Sequence, residues 1–448
     1  MRDALVLIIV AGSLPLILAR PWLGILVWSW LGYMNPHRLT WGFAYNFPFA
    51  MLVGVTTLAG LVFYRGPRSI KLIPLTVIWI FFVFWMNLST FMALDREMSM
   101  IEWDRTMKIQ LFAFLTVALI RTKEQVKYLV WVIVASLAFF GVKGGLFSIL
   151  TGGNYLVWGP AGSFIEDNNS LGLVLVMTIP LLVYVMQTVA DKRVKLGIFG
   201  VLGLTSLAIL TTHSRGAFLA VGAMCGVFWL YSPRKLIIGV LLVLAGIALW
   251  NFMPDHYHER MFSITEYEQD DSAMGRINAW WFAFYLALDH PMTGGGFGTF
   301  TQELFLRYAP DPTEFHDSHS IYFEILAEQG FVGLGLFLAL GSAALITCMR
   351  NISLAKKRKD CEWIVSLSRM LIVSMCSYAV GGAFLGMAYF DLYYHLIALT
   401  VILRMILETQ PLAEDYSMVS EQMRNLRIKH GLGAPAGDGG AIARNVRT

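Results

Sequence analysis

His316-Asp317-Ser318-His319-Ser320-Ile321-Tyr322-Phe323-Glu324-Ile325-Leu326-Ala327-Glu328-Gln329-Gly330 is a polar, histidine-bearing lead-in that runs into an apolar helix and stops at a glycine. Two ionisable histidines thus sit where a long polar segment returns to hydrophobic sequence. What lies on either side decides the fold. The chain has 448 residues, of which 57% are hydrophobic and 14% charged, with a mean hydropathy of +0.61. A soluble domain carries about 25% charged residues, so this chain is built for lipid.

A bilayer-spanning helix needs roughly 20 mostly apolar residues. Such runs lie near 47–64, 72–89, 106–120, 128–149, 169–188, 196–213, 216–231, 236–253, 331–348, 364–383 and 386–405. Arg65/Arg68/Lys71, Arg121/Lys123/Lys127, Lys192/Arg193/Lys195, Arg234/Lys235 and Arg350/Lys356/Lys357/Arg358/Lys359 follow every second run. The positive-inside rule puts these connectors, and the tail beyond Arg404, in the cytoplasm. Residues 4–19 and 22–34 are each short for a crossing; one broken crossing, giving about twelve spans, is favoured over two. Arg2 precedes apolar sequence, but no small-residue cleavage site follows, so no cleaved leader is expected.

The expected fold is therefore an all-α polytopic membrane protein of about 12 transmembrane helices with one large outer loop. Residues 1–253 carry transmembrane helices 1 to 9 or 10, 254–330 form the loop, 331–410 the C-terminal helices, and 411–448 a cytoplasmic tail. The loop segment 254–329 holds 13 Asp/Glu, three Arg, no Lys and five of the nine histidines. Within it, 276–290 reads as an interfacial helix with aromatic anchors, 294–298 as a glycine turn, and 301–308 as a short helix. A loop this long with its own helices is usually functional. Cys225, Cys348, Cys361 and Cys376 have no metal-type or CxxC spacing and none falls in an outward loop, so disulfide and cysteine chemistry are not expected.

Three signals fall on the outer side. Thr211-Thr212-His213-Ser214-Arg215-Gly216 is a polar break between two apolar runs. Its arginine either snorkels to headgroups or serves as a fixed cation for an anionic ligand such as a phosphate. Arg276 and Trp280, four apart, share a helix face; a guanidinium at a helix head suits phosphate, although Asp270 or Asp271 offer a plain ion pair. His319, with Tyr322 and Phe323 on its helical face, is a candidate general base or a surface histidine with no role. His316 lies among ordinary loop acids. Asp255-His256-x-His258-Glu259 lacks a second ligand set for a metal, no outward DxD pair is present, and Asn169 can simply cap its helix. Two cations beside a base, with no metal ligands, suit attack on a substrate whose leaving group is a pyrophosphate.

These residues resemble the O-antigen ligase and polymerase superfamily. His319-Ser-Ile-Tyr-Phe-Glu-Ile-Leu-Ala-Glu-Gln-Gly330 is similar to its H-N-x-x-L-x-x-L-A-E-x-G signature, with Ser320 in place of the usual Asn. His290-Pro291 with Gly294-x-Gly296-x-Gly298 resembles its HP-x-x-G-x-G element. Ser214-Arg215-Gly216 resembles its S-R-G, and Arg276-x-x-x-Trp280 its loop arginine. Phe164-x-x-Asp167-Asn168-Asn169 resembles its F-x-N-P-N, with Asn169 as the matching Asn. The region from Trp22 to Phe49 further resembles the branch of O-glycosylation ligases linked to exosortase systems.

The resemblance implies a metal-independent, inverting glycosyltransferase of the GT-C type, without cofactor, in the bacterial inner membrane with its active site facing the periplasm. The implied donor is a glycan on undecaprenyl pyrophosphate and the implied acceptor a hydroxyl of lipid A–core oligosaccharide. His319 would be the base; Arg215 and Arg276 would hold the pyrophosphate; Asn169, Trp280, Tyr322 and the membrane-embedded Asp391 would line the substrate site. Nucleic acid is not an expected partner. A polymerase or a protein O-oligosaccharyltransferase would use the same donor. A lipid-linked glycan flippase is a different class, disfavoured because no internal repeat is visible and the charges gather at one face.

Overall fold

The computed structural model describes residues 1–237, 239–241, 243–244 and 271–409. The expected span at 236–253, the loop residues 254–270 with the Asp255–Glu259 group and Asp270, and the tail from 411 lie wholly or largely outside the described residues. The protein is an all-α polytopic membrane protein. Its helices are α1 (Arg2–Ala19), α2 (Trp22–Met34), α3 (Phe49–Phe63), α4 (Pro74–Phe91), α5 (Arg96–Leu119), α6 (Lys123–Thr151), α7 (Asn168–Thr188), α8 (Lys192–Thr211) and α9 (Arg215–Tyr231). They continue as α10 (Asp271–Asp289), α11 (Gln302–Tyr308), α12 (Ile321–Ala355), α13 (Glu362–Gly381) and α14 (Asp391–Thr409). Eight of the described helices are long and apolar enough to cross a membrane, while α2, α3 and α9 are apolar but shorter.

Burial sorts these helices. From Leu171 to Leu182 α7 is buried on every side, and so is α14 from Asp391 to Leu403. A helix that is apolar all round belongs at the centre, and α13 packs against both. By contrast, α1 leaves Leu5, Ile8 and Leu16 exposed, as a helix facing lipid does.

The N-terminal third corrects one expectation. Arg2 donates to the Leu39 carbonyl at 3.3 Å and the Ala44 amide donates to Asp3 at 3.1 Å. The start of α1 is therefore tied to the segment that follows α2, so the two helices form an antiparallel hairpin rather than one broken crossing. The closed end at Arg20-Pro21 lies by Gly60 of α3, which touches Ile17 and Leu18.

The opening stretch is held by a backbone clasp. α12 is interrupted at Gly330, whose φ of 68° and ψ of −172° are not helical. Against this kink docks the turn before Phe297. The amides of Gly295 and Gly296 donate to the carbonyls of Ala327 and Glu328 at 2.8 and 3.0 Å, and Phe331 donates to Pro291 at 3.0 Å. The buried Glu328 side chain accepts from the Gly298 amide at 2.8 Å through Oε1. Ser89 of α4 donates to the carbonyls of Thr293 and Glu328, and Trp85 to that of Gln329. A Cβ at Gly330 would meet the Met292 carbonyl, and its backbone conformation is one that essentially only glycine adopts. Gly330→Ala is thus expected to cost about 1–3 kcal/mol, read as a lower thermal midpoint of the purified protein in detergent. An unchanged midpoint would show that the clasp yields without strain.

Candidate functional site

Four chain segments meet at one end of the bundle. The first is the start of α7, where Asp167 caps the helix by accepting from the amides of Asn169 and Ser170 at 2.9 and 3.0 Å. Asp–Asn–Asn before an apolar run is an N-cap signal, but the cap is Asp167, not Asn169. The second is the break before α9. Here Asn168 donates to the Thr212 carbonyl at 2.8 Å, and Ser214 caps α9 by accepting from Ala217. Arg215, half-buried, is the first helical residue. The third is the turn after α13: Gly216 touches Phe384 and Leu385, and Gly386 approaches Asp317, Glu324 and His319. The fourth is the 317–319 turn itself.

α10 covers this meeting point. Its Ala279, Phe282, Ala283 and Leu286 pack with Phe305 and Tyr308 of α11 and with Ala327. Trp281, Tyr285 and Leu288 are left exposed. This pattern suits a helix lying at a membrane surface. Trp280 donates to the Ser318 carbonyl at 2.9 Å and stacks on Phe323, centroids 4.9 Å apart and planes 7° from parallel. It therefore positions the 318–319 turn. Asn278 acts similarly on the preceding loop, donating to the carbonyls of Asp311 and Glu314.

His319 differs from its expected setting. It lies two residues before α12, not on its face, with φ at 42°. Left-handed backbone is uncommon for a residue with a Cβ, and among the described residues only Asn35, His213 and His319 adopt it without being glycine. Two of those three flank the site, where strained backbone tends to gather. The imidazole is half-buried, and burial pushes its pKa below the ordinary histidine value of 6.5. Asp317 opposes that shift; Arg276 adds to it; Asp167 opposes and His316 adds more weakly. Arg276 and Asp167 thus reach the same imidazole from α10 and α7.

Other expected positions move. Arg276 stands more than a turn inside α10, so it does not sit on a helix head. Tyr322 turns away from the site: its hydroxyl donates to the Ala379 carbonyl at 2.7 Å, and it lines an apolar cavity of about 130 Å³ with Phe337, Tyr378 and Tyr393. Asp391 is buried against Gly32 of α2 and within electrostatic reach of Arg105, on the α2–α5 side of α14. Arg105 in turn lies 3.4 Å from the Phe164 ring centroid. The ring of His316 packs on Gly275. Among the described residues no three His, Cys, Asp or Glu side chains gather as a metal site. The residues that sequence reasoning missed are Asp167, Asn168 and Asp317.

Comparison with known proteins gives two family matches. Residues 199–338 match a model described as O-Antigen ligase, and residues 1–190 match one described as a family of unknown function (DUF5935). The first spans Arg215, Arg276 and His319. No curated protein matches the chain.

Proposed function

We propose, from the match of residues 199–338 to the O-antigen ligase family model, that the chain is an inverting, metal-independent glycosyltransferase. It moves a glycan from undecaprenyl pyrophosphate to a sugar hydroxyl of lipid A–core oligosaccharide. The site faces the periplasm from the bacterial inner membrane, and the Lys/Arg-rich connectors and C-terminus are cytoplasmic.

The step balances as a single displacement. The acceptor hydroxyl gives its proton to His319 as its oxygen attacks the anomeric carbon from the face opposite the leaving group. The bond from that carbon to the pyrophosphate oxygen breaks, and the electron pair leaves with the lipid pyrophosphate. Arg215 and Arg276 hold the departing anion; charge stabilisation aimed at the leaving oxygen is usually the largest single contribution to such a step. Trp280 and Asp167 keep the turn and the helix start in place, and Asp391 and Tyr322 support the fold around them.

The observation that carries this reading is one histidine, kept toward its neutral form by burial, within electrostatic reach of Arg276. A base at neutral pH must be neutral to accept a proton. The test is transfer in vitro with purified full-length protein, polyprenyl-linked glycan and rough lipopolysaccharide, with and without chelator. Glycan on the core at equal rates in both arms is the expected result. Rate lost to chelator overturns metal independence; glycan found only on a second polyprenyl glycan makes the chain a polymerase. Donor left unconsumed with every acceptor, including a Ser/Thr peptide, overturns transferase function.

A further inference from the structure

At the opposite end of the bundle lies a cavity that the transfer reaction does not use. Gln187, on its wall, is twenty residues along α7 from Asp167, roughly 30 Å at 1.5 Å per residue. The cavity is about 600 Å³ and sits between the end of α7, the α12–α13 connector and α13. Lys356, Lys357, Arg358, Lys359 and Arg369 line it, against a single carboxylate, Glu362. Its size is that of ordinary small-ligand sites.

Arg369 separates this site from a plain basic loop. It lies two turns inside α13, where a guanidinium is costly unless it meets a partner or a polar cavity. Its Nε is buried and meets no hydrogen-bond acceptor among the described residues. Its guanidinium carbon lies 5.7 Å from the centre of the Tyr231 ring. Ser366, also on the wall, donates to Gln187 at 2.6 Å and so fixes the α7 side of the cavity. Val365 and Met370 add apolar surface. Trp363, in the first turn of α13, faces Lys123 across 5.7 Å, the kind of aromatic found at a membrane–water interface.

We propose that this cavity binds a phosphate group, that of an anionic phospholipid headgroup. The guanidinium of Arg369 offers a forked donor set at the base, and the lysines supply charge at the mouth. Basic pockets between spans at a cytoplasmic face are suited to such headgroups. The site does not depend on the chemistry assigned to His319.

The test uses the full chain in nanodiscs of phosphatidylcholine, with phosphatidylglycerol added in one arm and inorganic phosphate titrated in another. Phosphatidylglycerol is expected to raise the thermal midpoint by about 2 °C. The rise should vanish in Arg369→Gln and in the doubly substituted Lys356→Gln, Lys357→Gln, whose exposed positions leave the packing intact. An equal rise with inorganic phosphate, lost in the same variants, keeps the phosphate site but assigns it to a soluble anion. No rise in either arm, or one that persists in both variants, overturns the proposal.

Discussion

His319→Asn is expected to lower the transfer rate by about a thousandfold, within the range that one general base contributes. Asparagine is the informative replacement because it tolerates the left-handed backbone that His319 occupies, whereas alanine adds strain of its own. In a host lacking its own ligase, either variant should abolish long-chain lipopolysaccharide while polyprenyl-linked polymer accumulates. The pH profile supplies the sign. Burial lowers the folded pKa of His319 beneath 6.5, so the base stays neutral at and above that pH. The acid limb of the activity should therefore be centred below pH 6.5. Asp317 raises that pKa, so Asp317→Asn should move the acid limb lower still. A wild-type rate from His319→Asn, or an acid limb centred above 6.5, would remove His319 from the reaction.

The helices were legible because lipid imposes length. The run at 169–188 is α7 almost to the residue, and the run at 196–213 is α8 with its charged first turn added. Where apolar length was the wrong guide, the reading failed in a consistent way. α5 begins at Arg96, ten residues before its apolar part, and Glu97, Glu102, Asp104 and Arg105 lie on that polar end. The α1–α2 hairpin is tied at its open end by the Ala44 amide on Asp3 and by Arg2 on the Leu39 carbonyl, pairings between residues some forty positions apart that no local pattern records.

The site was legible in part for a different reason. Cations and histidines stood out because so few charged residues interrupt apolar sequence. The left-handed turn at His319 and the reach of Asp167 were not visible, since both arise from segments 150 residues apart. The glycines of 294–298 and the Ala327–Gly330 run looked like two separate motifs. They are the two halves of one clasp, joined by backbone hydrogen bonds. Gly294 and Gly330 have no side chain because backbones approach there, and Glu328 is a buried acceptor for Gly298 rather than a group presented to substrate.

Arg215→Lys and Arg276→Lys should each cost on the order of a hundredfold in rate, the scale of losing one preorganised donor to a developing oxyanion. Lysine keeps the charge but not the planar fork, so a large loss from so small a change identifies bidentate phosphate binding. The Arg276 variant also carries a pH signature. Arg276 lowers the pKa of His319. Arg276→Ala should therefore slow transfer and move the acid limb upward, toward 6.5. Full activity in Arg215→Lys would mean that its guanidinium snorkels to headgroups. An acid limb unmoved by Arg276→Ala would place that residue too far from the imidazole to share one site with it, and the pyrophosphate would then need another second cation.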